Sequence, residues 1–367
     1  MPLDLSSAQS AGPFLETSPA TFPLDPLTDS RYSTFLQHHP RSSVFHSVQW
    51  LKALNLTYGF EPIAFSTAPP QTELQNAVVL CKVSSSLTGS RLVSLPFSDH
   101  CDILASPDEI DLLAGALKNE LRKQVLDYIE VRPVAPLPAD ILGPHSRKTY
   151  CFHEIDLTPS RDTLFKNCHR DSTQRVIRRA QRNPALVYDE GRSPTFLHAF
   201  YELVGLTRRR HGVPPQPKKW FESLIKCFGD DLKIRVAYDN RRPIAAILTL
   251  RYKDTLVYKY GGSSREHHRL GGMHLLLWRS LEDAKDAGLR VFDLGRSDIE
   301  NHGLILFKDR WGARRSTLTY IRLLKSPGKG GSFASSDWKR RVVSAIVARL
   351  PERLRTSACV FLYKHAG

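Results

Sequence analysis

The sequence predicts an α/β protein of two domains, each a mixed, largely antiparallel sheet flanked by helices, followed by a C-terminal helical tail. Three observations predict it. The chain has 367 residues, more than a single ordinary core accommodates. Strand-like apolar runs punctuated by Gly, Pro, Asn and Asp recur between segments with helical spacing. Near the end a Ser/Gly-rich stretch, "SPGKGGSFASS", separates this body from a basic amphipathic segment.

Residues 1–30 are rich in Pro, Ser and Thr and read as a disordered lead-in. A first domain is expected over 31–190. It opens with a helix near Phe45–Leu51, then the strands "EPIAFS", "LQNAVVLCKV" and "RLVSLPF". "DEIDLLAGALKNELRKQ" is an amphipathic helix, and "DYIEVRP" is a strand ended by Pro133. After a Pro-rich break come the strand "TYCFHEIDL" and the basic helix "DSTQRVIRRAQRN", with Ser172 or Thr173 as its N-cap. Val176, Ile177 and Ala180 of that helix face inward. Arg175, Arg178, Arg179 and Arg182 stay wet, as a solvated face or a phosphate-facing patch.

A second domain is expected over 191–325. Two helices, "SPTFLHAFYELVGLTRRRHG" and "WFESLIKCF", precede the strands "LKIRVAYD", "RPIAAILTLRY" and "DTLVYKYGG". Turn residues at Asp239-Asn240 and Lys253-Asp254 make these an antiparallel meander. A Gly-containing loop and a helix ending at Gly288 cross back to the strand "LRVFDLG". A short helix, "NHGLILFKDRWG", and a last strand, "RRSTLTYIRL", complete the domain. The tail, 326–367, places Trp338, Val342, Val343, Ile346, Val347 and Leu350 on one face with basic residues beside them. Such a helix lies on a membrane surface or packs on protein.

Fifty-two Lys and Arg against 37 Asp and Glu give a net charge of +15, which favours anionic partners: nucleic acid, a phosphate-bearing substrate or an acidic membrane surface. The chain begins without a basic, apolar leader, and no run approaches the ~18 apolar residues of a transmembrane helix. The six scattered cysteines include no C-x-x-C pair, so no metal site is expected and a reducing compartment suits them. These features place the protein in the cytoplasm, or peripherally at the inner face of the membrane through the 338–364 segment.

The start of the crossover helix presents unpaired N–H groups and a partial positive charge. Gly271 and Gly272 let the backbone approach an anion there, and Arg265 and Arg269 add charge; alternatively the glycines only permit a turn.

Antiparallel strands, a crossover helix and a returning strand form the pattern of the GNAT acyltransferase core. The stretch "YKYGGSSREHHRLGGMHLLLWRSLEDAKDAGLRVFDLGRS…GLILFKDRWGA" resembles the acyltransferases related to FemAB and CelD, which are duplicated GNAT-like proteins. "STQRVIRRAQRN" and "RLVSLPFSDHCDIL" are similar to that group, and the resemblance spans about residues 40–325. It implies two GNAT-like domains, the first degenerate. It also implies an N- or O-acyltransferase acting on an amine or hydroxyl of a cell-envelope or polysaccharide precursor. The donor it implies is acyl-CoA, with no tightly bound cofactor, or aminoacyl-tRNA acting on a peptidoglycan-like precursor. The GNAT phosphate signature, Q/R-x-x-G-x-G/A, aligns with His268-Arg269-Leu270-Gly271-Gly272-Met273. His268 and Met273 depart from it, which leaves both donors open.

Further roles follow from the resemblance. Phe307-Lys308 resembles the FemAB Phe-Lys motif, so Lys308 is expected beside the tetrahedral oxyanion or a substrate phosphate; otherwise it is a solvated helix lysine. The strands should splay near Tyr258–Tyr260 and Phe292–Leu294. Asp293 is a base or substrate orienter there, or a strand-end acid pairing with Arg296 or capping a turn. Tyr260 is a candidate acid for a leaving thiolate, and Leu304, Phe307 and Trp311 are anchors. Arg296, Arg178 and Arg179 are candidate contacts for an anionic substrate. A nucleic-acid-binding protein and a catalytically inactive assembly scaffold remain the competing readings.

Overall fold

The computed structural model describes residues 21–85, 89–137, 143–326, 333 and 363–365. Twelve strands form one continuous sheet, ordered β1-β2-β3-β4-β5-β12-β6-β11-β10-β9-β8-β7. The first half runs β1 (Phe22–Leu24), α1 (Ser30–His38), α2 (Val48–Tyr58), β2 (Glu61–Ser66), β3 (Val78–Ser85), β4 (Gly89–Val93), α3 (Pro107–Lys123) and β5 (Tyr128–Val131). The second runs β6 (His145–Asp156), α4 (Arg161–Asn167), α5 (Arg175–Arg182), β7 (Leu186–Gly191), α6 (Pro194–Arg210), α7 (Lys218–Phe228), β8 (Leu232–Asp239), β9 (Arg242–Tyr252), β10 (Thr255–Ser263), α8 (Gly272–Asp286), β11 (Val291–Asp298) and α9 (His302–Asp309). β12 (Arg314–Leu324) follows and returns to the centre of the sheet.

The order is symmetrical about the β12–β6 contact. In each half an antiparallel meander ends in a strand joined by a crossover helix to a parallel neighbour, β4–α3–β5 and β10–α8–β11. The sixth strand of each half is exchanged. β6, which follows β5 in sequence, pairs with β11, while β12 pairs with β5. β12 and β6 then join the halves along ten paired positions, Arg314↔Glu154 to Leu323↔His145.

The expected boundary at 190 therefore moves. β6, α4, α5 and β7 were assigned to the first domain, but β6 and β7 lie in the second half of the sheet, and α5 packs against α8. The reason is hydrogen bonding across the sheet, which local periodicity does not encode. The lead-in is also shorter than expected. Phe22–Leu24 pairs with Ala64–Ser66 of β2, and the Asp29 carboxylate caps α1 through the Arg31 N–H. Residues 1–20 and the tail helix expected over 338–364, apart from 363–364, lie outside the described residues. At the tail's end the Tyr363 hydroxyl donates to the Pro214 carbonyl at 2.7 Å, and its ring packs edge-on against Phe97.

Local chemistry explains the elements. Ser106 and Glu109 form a capping box with Pro107 in the first turn of α3. Asn240 and Arg241 both take positive φ in the two-residue β8–β9 hairpin, and Lys253 does so in β9–β10. The basic helix begins differently from expectation. A π-turn at Arg170–Gln174 leads into α5, and the His169 side chain, not Ser172 or Thr173, accepts the Ser172 N–H.

One core is shared between the halves. Trp50, Leu51 and Leu54 of α2 pack with Phe200 and Leu203 of α6, Trp220, Phe221 and Leu224 of α7, and Val236, Leu248 and Val257 of the second-half strands. Full burial of each such side chain contributes roughly 1.5–3 kcal/mol, so this core ties the halves together in addition to the sheet. On the opposite face, α4, α5 and α8 cover β8–β11. Gly262 on β10 permits α6 to approach closely: a Cβ there would lie 2.4 Å from the Leu203 carbonyl carbon and the Val204 nitrogen. Neither backbone atom can yield without moving the helix. Gly262→Ala is expected to lower unfolding stability by about 2–3 kcal/mol, read as a shift in the urea midpoint at unchanged slope. An unshifted midpoint would show that α6 does not rest on this glycine.

Candidate active site

β10 and β11 run parallel only from Thr255↔Val291 to Val257↔Asp293, and then their pairing stops. Both strands carry an irregularity at that point. β10 slips against β9 between Tyr258 and Tyr260, and β11 slips against β6 between Asp293 and Gly295. The opening falls where the sequence pattern predicted it. Bulges re-aim side chains beside such openings.

Into this opening projects a loop from the other half. Residues 94–101, which follow β4, bring Asp99 and His100 against β10 and β11. His100 Nε2 lies 2.9 Å from Asp293 Oδ2, and Asp293 Oδ1 accepts the Gly295 N–H at 2.6 Å. His100 is 9% exposed and Asp293 3%. With Asp293 on Nε2, neutral His100 carries its proton there and keeps a lone pair on Nδ1. That nitrogen makes no hydrogen bond to a described residue. Burial opposes charge on His100, but the hydrogen bond and charge of Asp293, with Asp99 and Asp102, hold its pKa above the ordinary value. Asp99 accepts from Lys259 Nζ at 2.8 Å. Burial would raise its carboxyl, yet Lys259 and Arg296 hold it below the usual range. Gly295 has φ +72°, and a Cβ there would lie 3.1 Å from Asp99 Oδ2, so glycine is needed both for the bend and for the loop's approach.

Lys308 is 3% exposed, which removes the alternative of a solvated helix lysine. Its Nζ donates to the carbonyls of Gly295 at 2.8 Å and Arg296 at 3.1 Å, clamping the bend just after Asp293. Phe307 and Trp311 hold α9 in place through His274, whose ring stacks on Trp311 at 5.8 Å and meets Phe307 edge-on. Leu304 is not a main anchor; Ile305 is the buried residue there.

Three expectations change. Asp293 does not pair with Arg296; its Oδ1 caps the turn at Gly295, the other alternative for a strand-end acid, and its Oδ2 meets His100 Nε2. The Tyr260 hydroxyl accepts from Trp220 Nε1 at 2.9 Å inside the shared aromatic core, and burial pushes its pKa up. It is a core polar group, not an acid facing the opening. Gly271 and Gly272 do not open a cradle. A Cβ at Gly271 would lie 2.7 Å from Val176 Cγ1 of α5, and one at Gly272 would press on Ala245, Ile244 and Ala237. Helix packing accounts for Gly272, while Gly271 also takes φ +81°, in keeping with the alternative of a turn. Met273 is half-buried against the core, while Arg269 is exposed and its carbonyl accepts from Arg179.

Arg178 and Arg179 are not near His100 in the contacts observed; they line an open groove of about 630 Å³ with Arg170, Arg175 and Arg182. Arg178 stacks on Phe165, 5.0 Å from the ring centroid. No group of three or more His, Cys, Asp and Glu among the described residues is arranged to hold a metal, and no described helix is long and apolar enough to cross a membrane. Asp99, His100 and Lys259 were not among the expected site residues, although Asp99 and His100 lie within "RLVSLPFSDHCDIL". An acid and a histidine adjacent in a Pro-containing loop were the available signal.

These features define a sheet of two similar halves, with a buried histidine–aspartate pair where β10 and β11 part. Residues 168–302 match the family model described as an acetyltransferase (GNAT) domain. A crystal structure of FemX is similar at TM-score 0.62 and 14% identity, covering 78% of this chain and 94% of that one. The C-terminal domain of a putative lysylphosphatidylglycerol synthetase from Agrobacterium fabrum is similar at 0.53 and 11%, covering 85% and 96%. A tandem GNAT protein from the clavulanic acid biosynthesis pathway is similar at 0.53 and 12%, covering 84% and 99%. No curated protein matches the sequence. Residues 168–302 thus carry a GNAT-type domain, and the whole sheet has the fold of these tandem GNAT structures.

Lys308 titrates in an accessible range. Burial, against the pull of Asp99 and Asp293, brings its pKa down from 10.5 to about 8. Between those two values the unfolded chain holds a proton that the folded chain has released, so stability rises with pH there. Relative to Lys308→Met, the native protein should gain on the order of 2–3 kcal/mol between pH 8 and pH 10.5 in urea titrations. A pH-independent difference would mean that the ammonium carries no burial penalty.

Proposed function

We propose that this protein is an acyltransferase that moves an acyl group from acyl-CoA directly onto an amine or hydroxyl of a cell-envelope or polysaccharide precursor. The observation that carries the reading is the buried His100–Asp293 pair at the point where β10 and β11 part. His100 Nδ1 takes the proton as the acceptor nitrogen or oxygen attacks the thioester carbon. The new C–N or C–O bond forms while the carbonyl electrons move onto oxygen. In this reading the oxyanion is met by backbone N–H groups of β10 where its pairing with β11 ends. Collapse breaks the C–S bond, and the thiolate recovers the proton from His100. Asp293 and Lys308 act as positioning residues: the carboxylate fixes the imidazole, and the ammonium fixes the bend that carries the carboxylate. The donor's phosphates have a complementary surface in the five-arginine groove beside the start of α8.

Donor identity is tested by native mass spectrometry of the full chain with acetyl-CoA and, separately, with aminoacyl-tRNA. Retention of acetyl-CoA, weakened in Arg178→Glu/Arg179→Glu, is expected; retention of the tRNA alone would replace the donor assignment. His100→Ala should lower the transfer rate by about 10²–10⁴-fold with donor binding intact. In the unmodified enzyme kcat/KM should fall as pH drops through the raised His100 pKa. Asp293→Asn removes the group that raises it, so the inflection should move to lower pH. An inflection that stays in place would exclude His100 as the base.

A further inference from the structure

Arg296 is held in an unusual state. Its guanidinium carbon lies 4.2 Å from the Tyr150 ring centroid and 5.2 Å from that of Tyr320, and these two rings pack together at 4.6 Å. Tyr150 comes from β6 and Tyr320 from β12, the strands that join the halves. Aromatic faces fix a cation without engaging its N–H donors. The guanidinium makes no hydrogen bond to a described residue, and its Nε is sealed from solvent without a partner. The nearest carboxylates are loosely placed. Asp99 lies 3.9 Å away and is already bonded to Lys259 at 2.8 Å; Asp298 lies 3.8 Å away with a side chain 63% exposed. In contrast, the buried Arg132 donates to Leu95, Ser98 and Glu130, and Arg322 to Glu130. A planar fork of donors, held by two loose ion pairs and by no hydrogen bond to a described residue, is thus pre-positioned beside Asp99, the neighbour of His100.

We infer that Arg296 anchors an anionic group of the acceptor, a carboxylate or a phosphate carried close to the nucleophilic amine or hydroxyl. The inference rests on the acyl-transfer reading for the identity of that substrate. The donor does not fit this position: the phosphates of an acyl-CoA are separated from its thioester by the whole pantetheine arm. Arg296 is two residues past Leu294 on the strand that carries Asp293, so it meets what lies next to the reacting atoms. A guanidinium receives a carboxylate or phosphate in bidentate fashion, which fixes orientation as well as affinity. The acceptor class is therefore an amino acid, peptide terminus or sugar phosphate rather than a neutral glycan.

The test reads the guanidinium directly. Proton–nitrogen spectra of the full-length, ¹⁵N-labelled protein resolve arginine Nε–H groups, and the Arg296 resonance is the one lost in Arg296→Lys. Methyl phosphate and acetate are titrated separately. A saturable shift of that resonance is expected, retained in Arg178→Gln/Arg179→Gln, and the probe giving the larger effect names the anion class. Shifts confined to the groove arginines, or none with either probe, would overturn the inference. An unchanged melting temperature in Arg296→Lys verifies that loss of the resonance is not unfolding. Transfer activity is not needed for this readout. Anion binding at Arg296 without transfer from any donor would reject the acyltransferase reading alone, and transfer with a silent Arg296 would reject only this assignment.

Discussion

Arg132 is the fixed point from which the site is built. Its guanidinium donates to the carbonyls of Leu95 at 2.9 Å and Ser98 at 3.0 Å and pairs with Glu130 at 2.8 Å. Burial would raise the Glu130 carboxyl, but Arg132 and Arg322 bring it down to about 2. The loop so gripped includes Leu95 and Phe97 at φ +57° and +64°, conformations that side-chain-bearing residues keep only when their surroundings impose them. β4 and β5 stop pairing at Val93↔Glu130, the point in the first half that corresponds to Val257↔Asp293 in the second. One opening is thus filled by its own loop, and the filling segment carries Asp99 and His100 across to the other. The first half thus brings an imidazole to the bend of the second.

The exchanged strands make this arrangement rigid. β6 lies between β11 and β12, so Asp293, Arg296, Tyr150 and Tyr320 are registered against one another by a continuous ladder. Arg322 on β12 reaches Glu130 on β5 at 2.7 Å and so joins the same strand to the ion cluster that grips the loop. Buried ion pairs contribute little net stability once desolvation is counted, but they discriminate between arrangements. Here the arrangement selected is the one in which the loop of one half meets the bend of the other.

Much of this was legible in the sequence. The β8–β9–β10 meander, the α8 crossover and α9 each carried a strong local signal in turn residues or helical spacing, and Phe307-Lys308 carried a motif. The strand exchange was not legible, because periodicity shows that a segment is a strand and not which strand it will pair with. His100 and Asp99 were missed for a related reason. Their loop has no period, and the meaning of His100 comes from a carboxylate 193 positions away. Gly271 and Gly272 show another limit. The sequence shows that no side chain is wanted there, but a phosphate and the methyl group of Val176 impose the same requirement.

The central place of β12 has a consequence for the order in which the chain can assemble. As the chain is synthesised, β5 emerges with one edge unpaired, and β6 is the next strand to appear. Consecutive strands commonly pair, so a β5–β6 hairpin is the nearest wrong answer. The correct neighbour of β5 arrives only with Arg314–Leu324; Arg322 and its partner Glu130 are 192 positions apart. The connection between β5 and β6 works against the wrong pairing: Pro133, Pro136, Pro138 and Pro144 cannot continue a ladder and disfavour a tight reversal. The Pro-rich break thus disfavours the consecutive β5–β6 pairing, which the finished sheet replaces with β5–β12.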